Sequence, residues 1–565
     1  MSERIETLSS SKEPRLRVGL LIDSLIQPRW VHQIIKELKS SSIAEVTLAV
    51  RNKTSVKSRK VHKVWQEKNY LLYHTYTKLD DLIFQTDPDA FERISIENLI
   101  DGVPVIDVLP VQGKYTDALG QEDLERILSY DLDVALRFGF RILKGQFLKI
   151  ARYGVWSYHH GDGLLNRGLP PGFWEVMKNE PVTGSMLQVL TEELDNGRVI
   201  YRSWGPTINR FSVKKANNNT YWKASAFVMR KLKDLYEFGP RSLEDSHANS
   251  DYRPYSNRLY KMPTNSEMLP LLFKLMGRSV ARLFNKLFFM DQWILAYRVT
   301  THRNDRNNTL YKYKFLIPEK DRFWADPFPL MANGKFYIFF EEFIFKNDKA
   351  HICVVEVDEH GIVNGPFRVL EKPYHLSYPY VFEWKDDYYM IPESGSNGTV
   401  EIYRCREFPL VWEKEKVLLE ANNPLDATLI EIEGTWWMFV NIEVAGVSVN
   451  WDELHLFYSD SPLGPWKPHQ KNPVKSDVRS SRPAGKPFYW NGELLRPAQD
   501  CSRGYGYATS INRVVKINPC EYSEEEVSRI LPDWANHITG THTLNILDDI
   551  TVVDCRRKTT KPLPG

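Results

Sequence analysis

The chain has 565 residues, which is too many for a single hydrophobic core, so we expect two or three domains. Its formal net charge of +2 excludes a general electrostatic attraction to nucleic acid, and we expect no nucleic-acid partner. The five cysteines form no CxxC pair, so the sequence predicts neither a metal site nor a disulfide framework. A reducing compartment fits this cysteine usage best.

We expect neither an N-terminal targeting signal nor a membrane-spanning segment. The N-terminal run MSERIETLSSSKEPRLR is polar, and no uncharged apolar run reaches the length that spans a bilayer. We therefore expect a cytoplasmic protein without a transmembrane segment.

The chain opens with alternating strand and helix patterns. Residues 17–23 (RVGLLID) and 45–50 (EVTLAV) are predicted strands, and an amphipathic helix begins between them at Pro28. This β-α-β order is typical of a doubly wound parallel sheet. No GxGxxG follows the first strand, so a dinucleotide is not indicated. Residues 51–100 are polar and mixed, and we expect an irregular insertion there.

The same alternation continues toward residue 240. The patterns predict a strand over 103–109, a helix over 117–129 and a strand over 132–140, after which a helix begins at Ile142. An amphipathic helix over 221–238 then closes this part of the chain.

The stretch from Gly154 to Arg202 carries the densest chemistry in the chain. A strand end at 154–158 leads into two histidines and a glycine-rich turn, where a histidine can be reached by a ligand and can titrate near neutral pH. Asp195 comes later, just before a turn signal, and a carboxylate returning to His159 would fix its tautomer. The alternative interpretation is two ordinary loop histidines, one of them bonded to the backbone.

Four short motifs in this stretch occur in a characteristic order. They are Ser157-x-His159, Arg167-Gly168, Thr183-Gly184 and Leu194-Asp195-x-Gly197. With these motifs the chain, over about residues 15–240, resembles the folate-dependent formyltransferases. The resemblance implies an α/β domain over 15–240 that uses 10-formyltetrahydrofolate as formyl donor.

The resemblance also implies roles for individual residues. His159 and Asp195 take the places of the catalytic pair, and Ser157 replaces the asparagine that donates a hydrogen bond to the developing oxyanion. Loss of one such donor commonly costs about 10²–10³ in rate. His160 and Asp162 replace a proline and a leucine of the turn and, with Arg167, are candidate substrate contacts.

A second part of the resemblance concerns the donor pocket. Phe138, Gly139, Ile142 and Leu143 match the segment that walls the folate in that family, so they are candidate cofactor contacts. An ordinary β-α connection is the alternative interpretation of this segment.

Residues 241–304 are predicted to connect the two halves. Residues 241–265 have the composition of a linker, and residues 269–298 show helical spacing with Lys274, Arg278, Arg282 and Lys286 on one face. Such a helix can make a peripheral contact with an anionic membrane surface. The alternative, which we favour from the sequence, is a helix packed between domains with its basic face in water.

From about residue 310 the helical pattern stops and hairpins recur near every 50 residues, which predicts a five-bladed β-propeller over 305–557. The second strands of the hairpins are 335–340, 388–391, 435–439 and 493–495, and a fifth element spans 540–557.

A polar residue precedes each hairpin at the corresponding place, where the innermost strand of a blade faces the central axis. These residues are Asp326, Tyr378, Asp426, Arg482 and His542. Other polar residues lie one strand further along and are expected to line the same funnel: Glu341, Glu342, Glu393, Arg496, Gln499 and Asp500.

The runs FWADPF, LSYPYVFE, MIPES, RPAQD and GTHT carry a second resemblance. With them the second half resembles the five-bladed propellers of arabinanase and invertase-like glycosidases and, more closely, the propeller of plant glucosamine inositolphosphorylceramide transferases. The resemblance implies that Asp326 matches a catalytic base or nucleophile and Asp426 an auxiliary aspartate. Glu393 lies on the second blade, where it does not match the expected acid, which weakens a hydrolase interpretation.

Taken together, the two resemblances imply a formyltransferase that transfers a formyl group from 10-formyltetrahydrofolate to an amine, on an amino sugar or glycan precursor. The propeller would bind that acceptor through Asp326, Glu393, Asp426, Arg482 and His542. The first alternative is a glycosidase-like enzyme in which Asp326 and Asp426 are essential and the first half is degenerate. The second is a scaffold without either activity. The sequence leaves the oligomeric state open.

Overall fold

The structure is a computed structural model that describes residues 14–54, 68–162, 167–193, 197–208, 210–244, 259–299, 310–443, 451–547 and 549–561. The described chain forms two compact units. The first contains the residues up to Trp174, Gly184–Ser203 and Val213–Asn265, and the second contains Glu175–Thr183, Trp204–Ser212 and the residues from Ser266 onward.

Five helices and fourteen strands are described as far as residue 260. The helices are α1 (Arg29–Ser40), α2 (Leu71–Ile83), α3 (Gln121–Leu128), α4 (Phe173–Lys178) and α5 (Val213–Phe238). The strands are β1 (Leu16–Ile22), β2 (Ile26–Pro28), β3 (Ala44–Asn52), β4 (Arg93–Ser95), β5 (Val105–Val108), β6 (Val111–Gln112), β7 (Thr116–Ala118), β8 (Val134–Arg137), β9 (Ile142–Leu143), β10 (Val155–His159), β11 (Arg167–Gly168), β12 (Val182–Val189), β13 (Arg198–Pro206) and β14 (Leu259–Tyr260).

A seven-stranded sheet with the order β13-β12-β10-β8-β1-β3-β5 organises this part of the chain. Strands β10, β8, β1, β3 and β5 are parallel, and β12 runs antiparallel to β10. The chain progresses from β1 to β3 on one side and returns to β8 on the other, so a topological switch point lies between β1 and β8. This confirms the predicted doubly wound α/β class.

The two faces of this sheet bury different side chains. One face has an aliphatic core in which Leu21, Leu48 and Leu132 pack with Leu124 and Ile127 of α3. Aromatic rings from α1 and α5 form a second cluster, in which Trp30 contacts the rings of Phe138, Tyr158 and Tyr221. The strands are buried on both sides because helices cover a parallel sheet.

Some sequence-based boundaries in this region were wrong. Residues 51–100 contain helix α2, which was missed because its apolar residues are largely exposed and only Tyr76 and Asp80 are buried. The helix predicted over 117–129 begins only at Gln121, since Thr116–Ala118 pairs with its neighbours as a strand. Ile142 begins strand β9, because it pairs in parallel with Thr116.

The rest of the chain contains one described α-helix, α6 (Asn265–Phe288), followed by strands alone apart from two short 3-10 turns. The strands are β15 (Phe289–Val299), β16 (Lys314–Leu316), β17 (Arg322–Ala332), β18 (Lys335–Ile344), β19 (Lys349–Val357), β20 (Ile362–Leu370), β21 (Ser377–Trp384), β22 (Asp387–Glu393), β23 (Thr399–Glu407), β24 (Val411–Glu420), β25 (Leu425–Ile432), β26 (Thr435–Asn441), β27 (Glu453–Ser459), β28 (Lys467–Pro468), β29 (Lys475–Ser476), β30 (Phe488–Trp490), β31 (Glu493–Asp500), β32 (Ala508–Asn518), β33 (Glu521–Ile530), β34 (Ile538–Gly540), β35 (Leu544–Leu547) and β36 (Ile550–Thr560).

These strands form five sheets, each with a main path of four strands. In chain order the first four sheets are β17-β18-β19-β20, β21-β22-β23-β24, β25-β26-β27-β28 and β30-β31-β32-β33. The fifth is β16-β15-β36-β34, so it joins the first strands of the propeller to its last. The five-bladed propeller predicted from the hairpin repeat is confirmed.

The predicted helix over 269–298 was wrong beyond Phe288. Phe289–Val299 is strand β15, which pairs with β36 along its whole length from Phe289↔Thr560 to Val299↔Ile550. Its consecutive buried residues, from Gln292 to Tyr297, are typical of a strand covered on both faces, which sequence periodicity does not distinguish from a buried helix. None of the described helices is long and apolar enough to cross a bilayer.

Candidate active site

The carboxyl ends of β8 and β10 form the first candidate site. Arg137 and Ser157 are register partners on these neighbouring strands. Arg137 donates from Nη1 to the Ser157 hydroxyl at 3.0 Å and from Nη2 to the Phe140 carbonyl at 3.0 Å. The Nε of Arg137 is buried and has no partner among the described residues. A guanidinium therefore lies beside the serine that replaces the expected asparagine.

Burial lowers the pKa of Arg137, and the opposing Coulomb attraction of Asp117 raises it. The side chain stays cationic, because an arginine remains protonated near neutral pH even after such a shift. Sequence analysis missed Arg137, although it lies directly before the Phe138-Gly139 pair that drew attention to this loop.

His159 is the last residue of β10, where it pairs with Met186 of β12. Its ring lies at the carboxyl end of the parallel strands and is half-buried. Asp195, the predicted partner, lies outside the described residues together with Leu194 and Asn196. The pairing of His159 with Asp195 thus stays a prediction.

The four predicted folate contacts occupy different surroundings. Gly139 packs closely against the residue that follows β1 at the switch point. A Cβ on Gly139 would lie 2.5 Å from the backbone nitrogen of Asp23. Phe138 is half-buried with its ring 5.9 Å from that of Trp30, whereas Leu143 is buried in the aliphatic core. Ile142 is partly exposed on β9. Phe138 and Gly139 therefore lie nearest the strand ends.

His160 lies in the aromatic cluster. Its ring stacks on Tyr221 at 3.5 Å between centroids and meets Trp30 edge-on at 5.2 Å. Burial, followed by the charge of His159, lowers the pKa of His160 to about 3, so the ring is neutral at physiological pH. This position favours packing, and its role as a substrate contact stays a prediction.

Two other predicted substrate contacts lie near the glycine motifs. Asp162 is fully buried, and Gly184 leaves it room, because a Cβ on Gly184 would lie 2.3 Å from the Asp162 Cβ. The backbone of Arg167 pairs with Leu259, while its side chain is outside the described atoms. The close packing against Asp162 thus explains why this fold needs a glycine after Thr183.

The axis of the propeller forms the second candidate site, and a backbone feature repeated in three blades builds it. Asp326, Tyr378 and Asp426 all have positive φ, at 52°, 44° and 56°. Each lies at a break in the pairing between the first and second strands of its blade. A left-handed residue other than glycine costs of order 1–3 kcal/mol and is maintained only by its surroundings.

Those surroundings are hydrogen bonds that cross from blade to blade. Asp326 of the first blade accepts from the backbone N–H of Tyr378 in the second at 3.3 Å and from the hydroxyl of Thr543 in the fifth at 2.8 Å. The Tyr378 hydroxyl accepts from the Gly485 backbone N–H at 2.6 Å. The predicted axial residues therefore do converge, and their bonds hold the ring of blades together.

Side chains of a neighbouring blade donate hydrogen bonds to the Asp426 carboxylate, and one of them balances its charge. Arg482 donates to it from Nε at 2.5 Å and from Nη2 at 3.3 Å, and Gln499 donates to it at 2.9 Å. The carboxylate and the guanidinium are both almost fully buried. Removal of either charge alone would leave the other buried without an opposite charge beside it.

Several carboxyl groups at the axis, Asp326, Glu341 and Glu393 among them, have raised pKa values. Burial raises the pKa of Asp326 to about 6, although His542 lowers it. Burial and repulsion by Asp426 raise the pKa of Glu393 to about 7. Buried carboxyl groups that titrate near neutrality are the type of group that general acid-base chemistry uses.

His542 lies between two carboxylates. Its Nδ1 is 2.6 Å from Asp554 and its Nε2 is 3.4 Å from Asp326. Burial alone would lower the pKa of His542, but the two carboxylates raise it. The atoms of these three residues are close enough to ligate a metal ion, yet a charged imidazolium opposes a cation.

A second group of potential ligands, Glu342, His351 and Cys353, lies inside the first blade. There Glu342 accepts from the Trp324 ring nitrogen at 2.9 Å and lies 3.0 Å from the His351 Nε2. Burial raises the pKa of the Cys353 thiol well above its usual range, which disfavours the thiolate that metals bind.

Of the six polar residues placed one strand further along, three do not join the axial network. Glu342 faces His351, Arg496 binds Glu524 at 2.7 Å, and Asp500 binds Arg529 at 2.7 Å. Successive side chains of a strand point to opposite faces, so Glu341 and Gln499 face the axial carboxylates while their immediate neighbours turn away. The expectation that all six line one funnel was wrong.

Comparison with known proteins gives one family match. Residues 317–540 match the profile of the family described as "Glucosamine inositolphosphorylceramide transferase 1, N-terminal". Glucosamine inositolphosphorylceramide transferase 1 of Oryza sativa subsp. japonica is 36% identical over 211 residues, which cover 36% of this chain and 28% of that protein.

A second kind of relative belongs to the other predicted family. Methionyl-tRNA formyltransferase of Prochlorococcus marinus subsp. pastoris is 26% identical over 193 residues, which cover 34% of this chain and 52% of that protein. Among solved structures, glycinamide ribonucleotide transformylase 1 from Symbiobacterium toebii matches with 14% identity and a TM-score of 0.27, covering 42% of this chain and 92% of that chain.

Both resemblances drawn from the sequence are therefore found among known proteins, and both curated relatives are transferases by name. This chain spans about half or less of the length of each.

Proposed function

We propose that the first unit transfers a formyl group from 10-formyltetrahydrofolate to an amine, on an amino sugar or glycan precursor. The observation that carries the proposal is the position of Arg137, Ser157 and His159 together at the carboxyl ends of β8 and β10. Ligands of open α/β sheets bind at such strand ends beside a switch point. The formyltransferase relative supports the same chemistry.

Two features of the first unit are suited to binding a folate. The ring of Phe138 is half-buried beside Trp30 and offers an aromatic surface, and Arg137 carries a buried N–H that lacks a partner among the described residues. When bound, 10-formyltetrahydrofolate supplies the formyl carbon as the electrophile. Phe138 and Gly139 would hold it at the end of β8.

The protein groups then have separate tasks. His159 takes the proton that the amine loses as its nitrogen bonds to the formyl carbon, and passes it to the departing donor nitrogen. The Arg137 guanidinium and the Ser157 hydroxyl donate to the oxygen that gains negative charge. Arg137 thereby does the work of the asparagine that Ser157 replaces, and the resemblance assigns Asp195, outside the described residues, the task of orienting His159.

The propeller, in this proposal, binds the acceptor. The rice relative is named for glucosamine and inositolphosphorylceramide, and the family match covers residues 317–540. The side chains of Arg482, Asp426 and Glu393 carry hydrogen-bond donors and acceptors of the kinds that pair with sugar hydroxyls and amines. A cytoplasmic location, expected from the sequence, is part of the same proposal.

A mass-shift assay tests the proposal. The full-length protein would be incubated with 10-formyltetrahydrofolate and a panel of amino-sugar nucleotides, and we expect one product heavier by a single formyl group. The variant His159→Asn should lower kcat/KM by about 10²–10⁴. The surface variant His360→Asn, whose ring is 82% exposed, should not change it.

One observation favours a second candidate function. The near-neutral pKa values of Asp326 and Glu393 suit a glycosidase-like acid-base pair. Release of reducing sugar that depends on Asp326 and is unaffected by His159→Asn would support this function over formyl transfer. Against it, the two Asp326 oxygens already accept from Thr543 and Tyr378.

A further inference from the structure

Helix α6 presents a long apolar face to solvent. Along its length, large apolar side chains recur every three or four residues, and each is between 51% and 62% exposed. They are Leu269, Phe273, Met276, Val280, Leu283, Phe284 and Leu287. Since monomeric soluble proteins rarely expose a contiguous apolar stripe of this length, this face is a candidate binding surface.

The opposite side of α6 anchors the helix to its own unit. The Arg278 guanidinium donates from both Nη atoms to the Val176 carbonyl at 3.1 Å. The Arg282 guanidinium lies 4.9 Å from the centre of the Phe211 ring. The helix is thus held by its arginine side, which leaves the apolar side outward.

Beyond its first turn, the charged side chains of α6 all have one sign. At 3.6 residues per turn, the exposed Lys274 and Lys286 flank the arginine side of the helix, one toward each border of the apolar face. Between Glu267 and Asp291 the sequence contains four cations and no acidic residue. Lysines at the edges of an apolar stripe can extend their ammonium groups to lipid phosphates while their stems stay in the apolar layer.

We propose that α6 lies in the surface layer of an anionic lipid bilayer and attaches the protein to it. The 24-residue helix is about 36 Å long and would lie parallel to the membrane plane. Buried apolar area and attraction between lysines and anionic headgroups would both contribute to binding. A second copy of the chain fits this face less well, because the cations at its edges would meet cations.

Vesicle sedimentation of the full-length protein tests this. We expect it to sediment with phosphatidylglycerol–phosphatidylcholine vesicles, less with phosphatidylcholine alone, and less at high ionic strength. The triple variant Phe273→Ser/Val280→Ser/Leu287→Ser should bind about tenfold more weakly or worse. The variant Lys274→Gln/Lys286→Gln should lose the salt-sensitive part of the binding.

A matched triple variant, Val363→Ser/Val515→Ser/Val527→Ser, removes exposed apolar side chains from the propeller strands and should bind vesicles like the parent protein. Circular dichroism melting checks that each variant is folded. The proposal is overturned if the parent protein does not bind anionic vesicles, or if the α6 triple variant binds them equally well. A concentration-dependent dimer that this triple variant abolishes, without vesicle binding, would assign the face to a second copy.

Discussion

At the scale of single residues, Arg137 changes the interpretation of the first site most. The replacement of an oxyanion-binding asparagine by Ser157 suggests a weakened catalyst when it is considered alone. In the fold, Ser157 accepts a hydrogen bond from a half-buried guanidinium at 3.0 Å. A charged donor forms a stronger hydrogen bond than a neutral amide, so under the proposed function Arg137 can stabilise the oxyanion in place of the asparagine.

The first prediction concerns this guanidinium. We expect Arg137→Met to lower kcat for formyl transfer by about 10²–10³ with little change in KM for 10-formyltetrahydrofolate, because the donor acts on charge that develops in the transition state. Steady-state kinetics on the acceptor found by the mass-shift assay measures both constants. Arg152→Met, at an exposed position, is the matched control. Wild-type kcat in Arg137→Met would assign Arg137 a purely structural role.

The second prediction concerns Glu393 and pH. Its pKa is about 7 in the folded protein and 4.5 in an unfolded chain, so the folded state holds the proton more tightly. The resulting stabilisation is fully present below about pH 4.5 and is lost as the pH rises through about 7. At pH 8 the charged group therefore costs about 2–3 kcal/mol relative to pH 4.5.

Glu393→Gln removes this titration. Relative to the parent protein, the variant should gain about 2 kcal/mol in free energy of unfolding between pH 4.5 and pH 8, measured by chemical denaturation at both values. Glu359→Gln, at an exposed position, should show no such difference. A Glu393→Gln variant whose relative stability is the same at both pH values would contradict the raised pKa.

At the scale of elements, strand β15 decides how the propeller closes. It pairs with β36 along eleven residues, so the fifth blade contains strands from both ends of the second unit. Gln292 of β15 is fully buried and binds three separate strands or loops. Its amide donates to the carbonyls of Glu319 and Arg322 at 2.8 and 2.9 Å and accepts from Arg557 at 2.8 Å.

The third prediction follows from these bonds. Gln292→Ala leaves several buried polar groups without partners and should lower the free energy of unfolding of the propeller by about 1–3 kcal/mol. Denaturant unfolding followed by tryptophan fluorescence measures the change. Asp291→Ala changes an exposed residue one position earlier and should leave the midpoint of the unfolding transition unchanged. Equal stability of the two variants would show that β15 adds little to closure.

At the scale of the whole molecule, two units with different folds are assigned two different tasks. The first carries the candidate transfer chemistry at strand ends, and the second carries a polar network at the propeller axis. If the tasks are separate, a change in one unit should leave the ligand affinity of the other intact.

The fourth prediction tests this separation. The double variant Asp426→Asn/Arg482→Met removes both charges of the buried pair, so that neither remains alone. We expect it to lose acceptor binding by at least about tenfold while binding 10-formyltetrahydrofolate like the parent protein. Titration calorimetry with each ligand measures both affinities, and His159→Asn should retain both. Loss of folate binding in the double variant would refute independent tasks.

Much of this architecture followed from local sequence patterns. The alternation of strands and helices, the motif around His159 and the repeated hairpins are periodic or local signals, so they predicted the doubly wound sheet and the five blades. The axial positions of Asp326, Asp426 and His542 followed as well, because one repeat predicts the corresponding place in the next.

The remaining features depended on contacts between distant parts of the chain. Arg137 meets Ser157 only because β8 and β10 are neighbours, and β15 is a strand because β36 lies beside it. Glu342 turns away from the axis because side-chain direction depends on the pairing register, which no local pattern reveals. The sequence by itself thus determined the repeating elements, whereas tertiary pairing decided which side chains meet, since that depends on strand order and register.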